Sequence, residues 1–161
     1  MPEPGTLRTI LDISTLVGGV IAVVGGVTAV VTFSRSAKLK RAEWLYNLHA
    51  KFYESQTYKP MRRIIDYAPQ AEIRRLEAAL TNGGDDELAE SLVDYLNFFE
   101  FIASLWKLNQ LKLEEVAMVF EYYVLRVRDH KFLMTFIETE GFESMTELID
   151  RLAGRKARMS R

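Results

Sequence analysis

The chain contains no cysteine in 161 residues. Disulfides, thiolate metal sites and cysteine nucleophiles are therefore excluded, and the composition fits a reducing compartment. Histidine is nearly as scarce, with His49 and His130 the only two. A di-metal carboxylate bundle needs Glu-x-x-His pairs projecting inward from facing helices. Tyr46 stands three residues before His49 and Val127 three before His130, so neither histidine completes such a pair. Neither lies in His-Glu-x-x-His, and no metal ion is expected. A G-x-S-x-G elbow, a dinucleotide fingerprint and a kinase signature are also missing. Gly83-Gly84 is too short for a phosphate-binding loop and lacks its Lys and Ser/Thr. The expectation is a protein that is not an enzyme and carries no cofactor.

Charge is absent from one long stretch, residues 13–33, ISTLVGGVIAVVGGVTAVVTF. Its 21 positions, at about 1.5 Å rise each, make a helix of roughly 31 Å, which matches the roughly 30 Å hydrocarbon core of a bilayer. The stretch is read as one transmembrane helix after a short tail, residues 1–12. A signal peptide carries its positive charge before a shorter apolar run. Here Glu3, Arg8 and Asp12 precede the run, and Arg35, Lys38, Lys40 and Arg41 follow it. A buried core helix is disfavoured by the length of the uncharged run and by that immediate basic flank. Basic residues are retained on the cytoplasmic side. The N-terminus is accordingly expected outside and the rest of the chain cytoplasmic, at the cell inner membrane. The basic cluster would meet anionic headgroups, each charge adding about 1 kcal/mol of surface attraction. Lipid, and not nucleic acid, is its expected partner.

Within the span the small residues Thr15, Gly18, Ala22, Gly25, Ala29 and Thr32 recur at alternating spacings of 3 and 4, and Gly18, Ala22 and Gly26 form a small-xxx-small run. Such a stripe lets helix backbones approach closely in lipid. It predicts self-association, against the background that glycine is frequent in membrane helices.

The remainder has a net charge close to balance that hides segregation: the chain total is −1, yet Lys and Arg crowd residues 35–41 and 151–161 while acids crowd 85–90 and 138–147. No Gly or Pro interrupts the chain between Gly26 and Pro60. The membrane helix is therefore expected to continue as a juxtamembrane stalk over residues 34–57, with Leu45, Leu48 and Phe52 on one face. A helical bundle is expected over 58–154 and a basic tail over 155–161. Pro60 and Pro69 start short helices, 58–67 and 69–80, and Asn82-Gly83-Gly84 ends the second. Asp85 or Asp86 caps a long helix, 87–108. Asn109-Gln110 forms a turn, and a second long helix spans 113–139, stopped by Gly141. Ser144-Met145-Thr146-Glu147 reads as a capping box opening a last helix that Gly154 ends.

Both long helices are apolar on two sides. Leu88, Leu92, Tyr95, Leu96, Phe99, Ile102 and Trp106 are joined by Phe98, Phe101, Leu105 and Leu108 on the first; Met118, Tyr122, Leu125, Phe132 and Phe136 supplement the second. A helix of that kind is either central in its bundle or shared with a partner. Two in so small a domain point to a homo-oligomer or a helical protein partner, with a core helix bearing a few exposed aromatics as the plainer alternative.

Residues 92–127 carry Asn97-Phe98-Phe99-Glu100, then Leu111-Lys112-Leu113-Glu114-Glu115, then Phe120. This arrangement resembles an uncharacterised bacterial family, in which an aromatic-rich N-x-x-E segment ends a helix and acidic residues open the next after a turn. The resemblance implies one N-terminal membrane helix and a helical cytoplasmic domain, and no activity. Glu100, between Phe99 and Phe101, admits three readings: a buried carboxylate serving as a proton site, a solvated or salt-bridged position on the strip with Asn97, Ser104 and Lys107, or an ion pair to Arg126 or Arg128.

The sequence thus reads as all-α, with one transmembrane helix, a stalk and a small antiparallel bundle. The expected role is a self-associating interaction or regulatory module. The alternative is an oligomeric pore-forming or toxin-like effector, for which Ser14, Thr15, Thr28 and Thr32 alone would supply polar lining.

Overall fold

The structure is a computed structural model and describes residues 32, 34–36 and 38–159. The expected tail, all of the span 13–33 but Thr32, and the stripe residues Thr15, Gly18, Ala22, Gly25, Gly26 and Ala29 lie outside the described residues. Thr32 is the one member of the stripe that is described, and it is helical and exposed. Among the described residues no helix is long and apolar enough to cross a membrane.

The chain divides into two units, Met1–Glu43 and Trp44–Arg161. The described residues of the first unit are all helical. The second opens with the part of α1 (residues 38–54) that follows Glu43, and continues with α2 (Tyr58–Tyr67), α3 (Gln70–Asn82), α4 (Asp86–Lys107), α5 (Leu113–Arg128), α6 (Lys131–Thr139) and α7 (Glu143–Met159). No strand occurs among the described residues. Within the expected stalk, residues 38–54 are continuously helical. Its part beyond Trp44 belongs to the bundle, because Leu48 and Phe52 are buried in the common core.

Phe52 is fully buried, and its ring lies 5.0 to 5.9 Å from those of Tyr53, Tyr58, Tyr95, Phe98, Phe99, Phe120 and Tyr123. Edge-to-face and offset geometries dominate, as the ring quadrupoles favour. Around this aromatic centre pack Met61 and Ile65 of α2, Leu76 of α3, Ile102 of α4, Val124 of α5, Leu133 of α6 and Leu148 of α7.

Several boundaries follow from local chemistry. Pro69 stands as the residue before α3, where its missing N–H is not needed. The Asp85 carboxylate accepts the Leu88 N–H at 3.3 Å, capping α4. At the other end of α4, Asn109 has φ 57°, Gln110 N–H donates to Leu105 O and Asn109 N–H to Trp106 O, both at 2.9 Å. That is a Schellman ending with asparagine in the place glycine usually takes. Gly141, at φ 84°, ends α6 in the same way, with Phe142 N–H donating to Ile137 O at 3.1 Å. On α5, the Glu115 carboxylate reaches back to the Lys112 N–H at 2.7 Å.

Three expectations are corrected. The helix expected over 113–139 is two helices, separated at Asp129-His130. His130 is extended (φ −103°, ψ 103°), and its Nε2 sits 3.2 Å from Ile65 O, while the Arg126 guanidinium donates to Asp66 O at 3.2 Å. Two side chains thus bind the free carbonyls at the α2 C-terminus, and the chain bends where they do so. The capping box at Ser144 does not open the last helix, which begins at Glu143. Nor does Gly154 end it: α7 runs on to Met159, and Arg155 pairs with Glu121 at 3.5 Å, so no separate tail starts at 155.

The inference that two doubly apolar helices exceed what one bundle can cover is also revised. Helix α4 packs against α2, α3, α5 and α7, and α5 packs against α2, α4, α6 and α7. Both are central. Phe98, Leu105 and Leu125, taken as second-side residues, are buried within the unit.

Candidate functional site

Four of the apolar residues on α4 and α5 remain uncovered: Phe101, Leu108, Met118 and Tyr122. Met118 and Tyr122 are one turn apart on the outer face of α5 and are 77% and 54% exposed. Tyr122 meets Tyr123 edge-on at 5.0 Å, Tyr123 shares a hydrogen bond with the Tyr53 hydroxyl, and Tyr53 stacks on His49 at 4.3 Å. Tyr46, one turn before His49 on α1, is 67% exposed, and Tyr67, at the end of α2 and near enough to influence Tyr122 electrostatically, is 79% exposed. The result is a tyrosine-lined face running from α1 across α5 to the end of α2. Its floor is organised by Arg62, whose guanidinium lies 4.6 Å from the Tyr53 ring and 5.0 Å from Phe52 while donating to Tyr53 O at 2.9 Å.

Behind this face sits a semi-buried polar group centred on Asp66. Burial raises its carboxyl above the usual carboxylate range, although Arg126, Arg62 and His130 pull the other way. Burial likewise lifts the Tyr95 phenol well above its ordinary value, with the Asp66 charge adding to the effect. For Tyr123 burial acts first and the Tyr53 hydrogen bond second, in the same direction. These phenols are neutral hydrogen-bonding groups at physiological pH, not nucleophiles. The Tyr95 hydroxyl and one Asp66 carboxylate oxygen are buried and make no hydrogen bond in the structure.

The motif residues fall elsewhere. Phe98 and Phe99 belong to the aromatic centre and Asn97 is exposed. Glu100 is half-buried and takes a part that none of the three readings named. Its carboxylate accepts the Ser144 N–H at 3.3 Å and the Met145 N–H at 2.7 Å, the free donors at the start of α7. It therefore caps a helix 44 residues away, with the helix dipole favouring its negative charge. Ser144 Oγ faces Ser104 Oγ at 3.5 Å, and Glu147 is engaged by Lys107 at 3.4 Å. The basic residues Arg35, Lys38 and Lys40 are exposed on helical backbone in the first unit, and Arg41 is partly covered.

The tyrosine face was missed as a face because its members come from three helices. Single exposed aromatics on α4 and α5 were the one sign of it in the sequence. Among the described residues no group of three His, Asp or Glu side chains is arranged to hold a metal ion. No family model, no curated protein and no solved structure matches the chain.

Proposed function

We propose that the chain is a single-pass membrane-anchored protein whose helical unit is a non-enzymatic interaction module, self-associating at the cytoplasmic membrane face. The uncharged run 13–33 and its small-residue stripe support the anchor and the association in lipid. The tyrosine face of the helical unit is the observation that carries the interaction role. Tyrosine supplies large, rigid contact area with a hydrogen-bonding tip at low entropic cost, which is why it is enriched at protein interfaces. The resemblance in the Asn97–Glu100 segment agrees with this architecture and adds no activity.

Photo-crosslinking in cells tests the interaction role. A crosslinking residue at Tyr122 should capture a second copy or a discrete protein partner, and one at exposed Glu72 on α3 should not. Equal and diffuse labelling from both positions would remove the case for the face as an interface.

A further inference from the structure

A second concavity, separate from the tyrosine face, lies between the last turns of α3 and one face of α6. This half-open concavity has a volume of about 350 Å³ and is lined by Leu80, Phe132 and Phe136 together with Glu77 and Glu140. Thr81, Thr135 and Thr139 complete the wall. All three threonine hydroxyls donate to carbonyls of their own helices: Thr81 to Glu77 O at 3.0 Å, Thr135 to Lys131 O at 3.2 Å and Thr139 to Thr135 O at 2.8 Å. With those protons committed, each hydroxyl can only accept. Every polar side chain lining the cavity is then an acceptor, and two of them are anionic.

Helix polarity reinforces the pattern. Glu77 and Glu140 stand near the C-terminal, negative ends of α3 and α6, while the lining runs back along α6 to Phe132 in its first turn. The last turns of α4, α5 and α7 carry Lys or Arg, but those of α3 and α6 carry none. The α2 C-terminus, which also lacks a basic residue of its own, receives Arg126 and His130 from across the bundle. No basic side chain lines the α3–α6 cavity. Neither Glu77 nor Glu140 has an ion-pair partner among the described residues.

We propose that this cavity binds a small organic ammonium compound with an apolar body, its cation held by Glu77, Glu140 and the two helix ends and its body against Phe132, Phe136 and Leu80. The volume lies at the lower end of the range of small-molecule pockets, which run from about 300 Å³. The phenyl rings add a surface on which a cation is attracted by the ring quadrupole. An anion would be repelled by both carboxylates, and a neutral molecule would gain nothing from their charge.

The test uses the full chain in a non-ionic detergent and a ligand-observed NMR titration with 2-phenylethylammonium. 2-Phenylethanol and 3-phenylpropanoate serve as neutral and anionic counterparts. The ammonium compound should bind at least tenfold more tightly than either counterpart, and added salt should weaken it. E77Q/E140Q, at two exposed positions that leave the core untouched, should weaken the ammonium compound about tenfold and leave 2-phenylethanol unchanged. Absence of binding at 10 mM ammonium compound, equal binding of the three probes, or an unchanged affinity in E77Q/E140Q would each overturn the assignment.

Discussion

Replacing Phe52 by alanine removes a ring that contacts α2, α4 and α5 at once, and a loss of about 3–5 kcal/mol is expected in urea unfolding. Tyr95 should respond in the opposite sense. Its buried hydroxyl makes no hydrogen bond in the structure, so Tyr95→Phe removes an unmet desolvation cost and should stabilise by about 1 kcal/mol. Asp66 gives a pH signature. Because burial raises its folded-state pKa, the folded protein holds the proton more tightly than the unfolded chain. Stability attributable to this group is therefore present below the unfolded value of about 4 and falls as pH rises through the folded value. Asp66→Asn should raise the melting temperature at pH 7 and leave it nearly unchanged at pH 3; a lower melting temperature at pH 7 would show that the Arg62, Arg126 and His130 attractions outweigh burial. Little of this was readable beforehand. That Phe52 faces inward follows from helical spacing, but its meeting with rings from residues 95 to 123 depends on how three helices cross.

At the scale of elements, the endings written in local chemistry were legible. Pro69 before α3, Asp85 before α4, Asn109 after it and Gly141 after α6 all mark boundaries through their own backbone preferences. Asn109 in the left-handed region gives a direct check. Asn109→Ala should cost about 1–2 kcal/mol, and Asn109→Gly should not destabilise. The α5–α6 break and the cap of α7 were illegible for one shared reason: their hydrogen-bond partners are distant in sequence. Ile65 and Asp66 hold the Arg126–His130 bend, and Glu100 caps Ser144 and Met145. Glu100→Ala should destabilise by about 1–3 kcal/mol, as a charged cap to two part-buried donors requires. Hydrogen exchange should then accelerate first at Ser144 and Met145. Uniform acceleration across all helices would contradict a capping role confined to α7. Gly154 failed as a stop signal because α7 stays packed on α4 and α5, so tertiary burial outweighs the modest helical penalty of one glycine.

For the molecule as a whole, the account joins an uncharged N-terminal run to a helical unit with one tyrosine-rich face. The all-α class, the four-helix surroundings of α4 and the shared aromatic core rest on the described residues, while the anchor rests on the composition of 13–33. The most direct measurement is the partition of the full-length chain in cells after lysis and an alkaline carbonate wash. The account predicts that the protein stays in the membrane pellet and leaves it only with detergent. Recovery in the supernatant without detergent would contradict it.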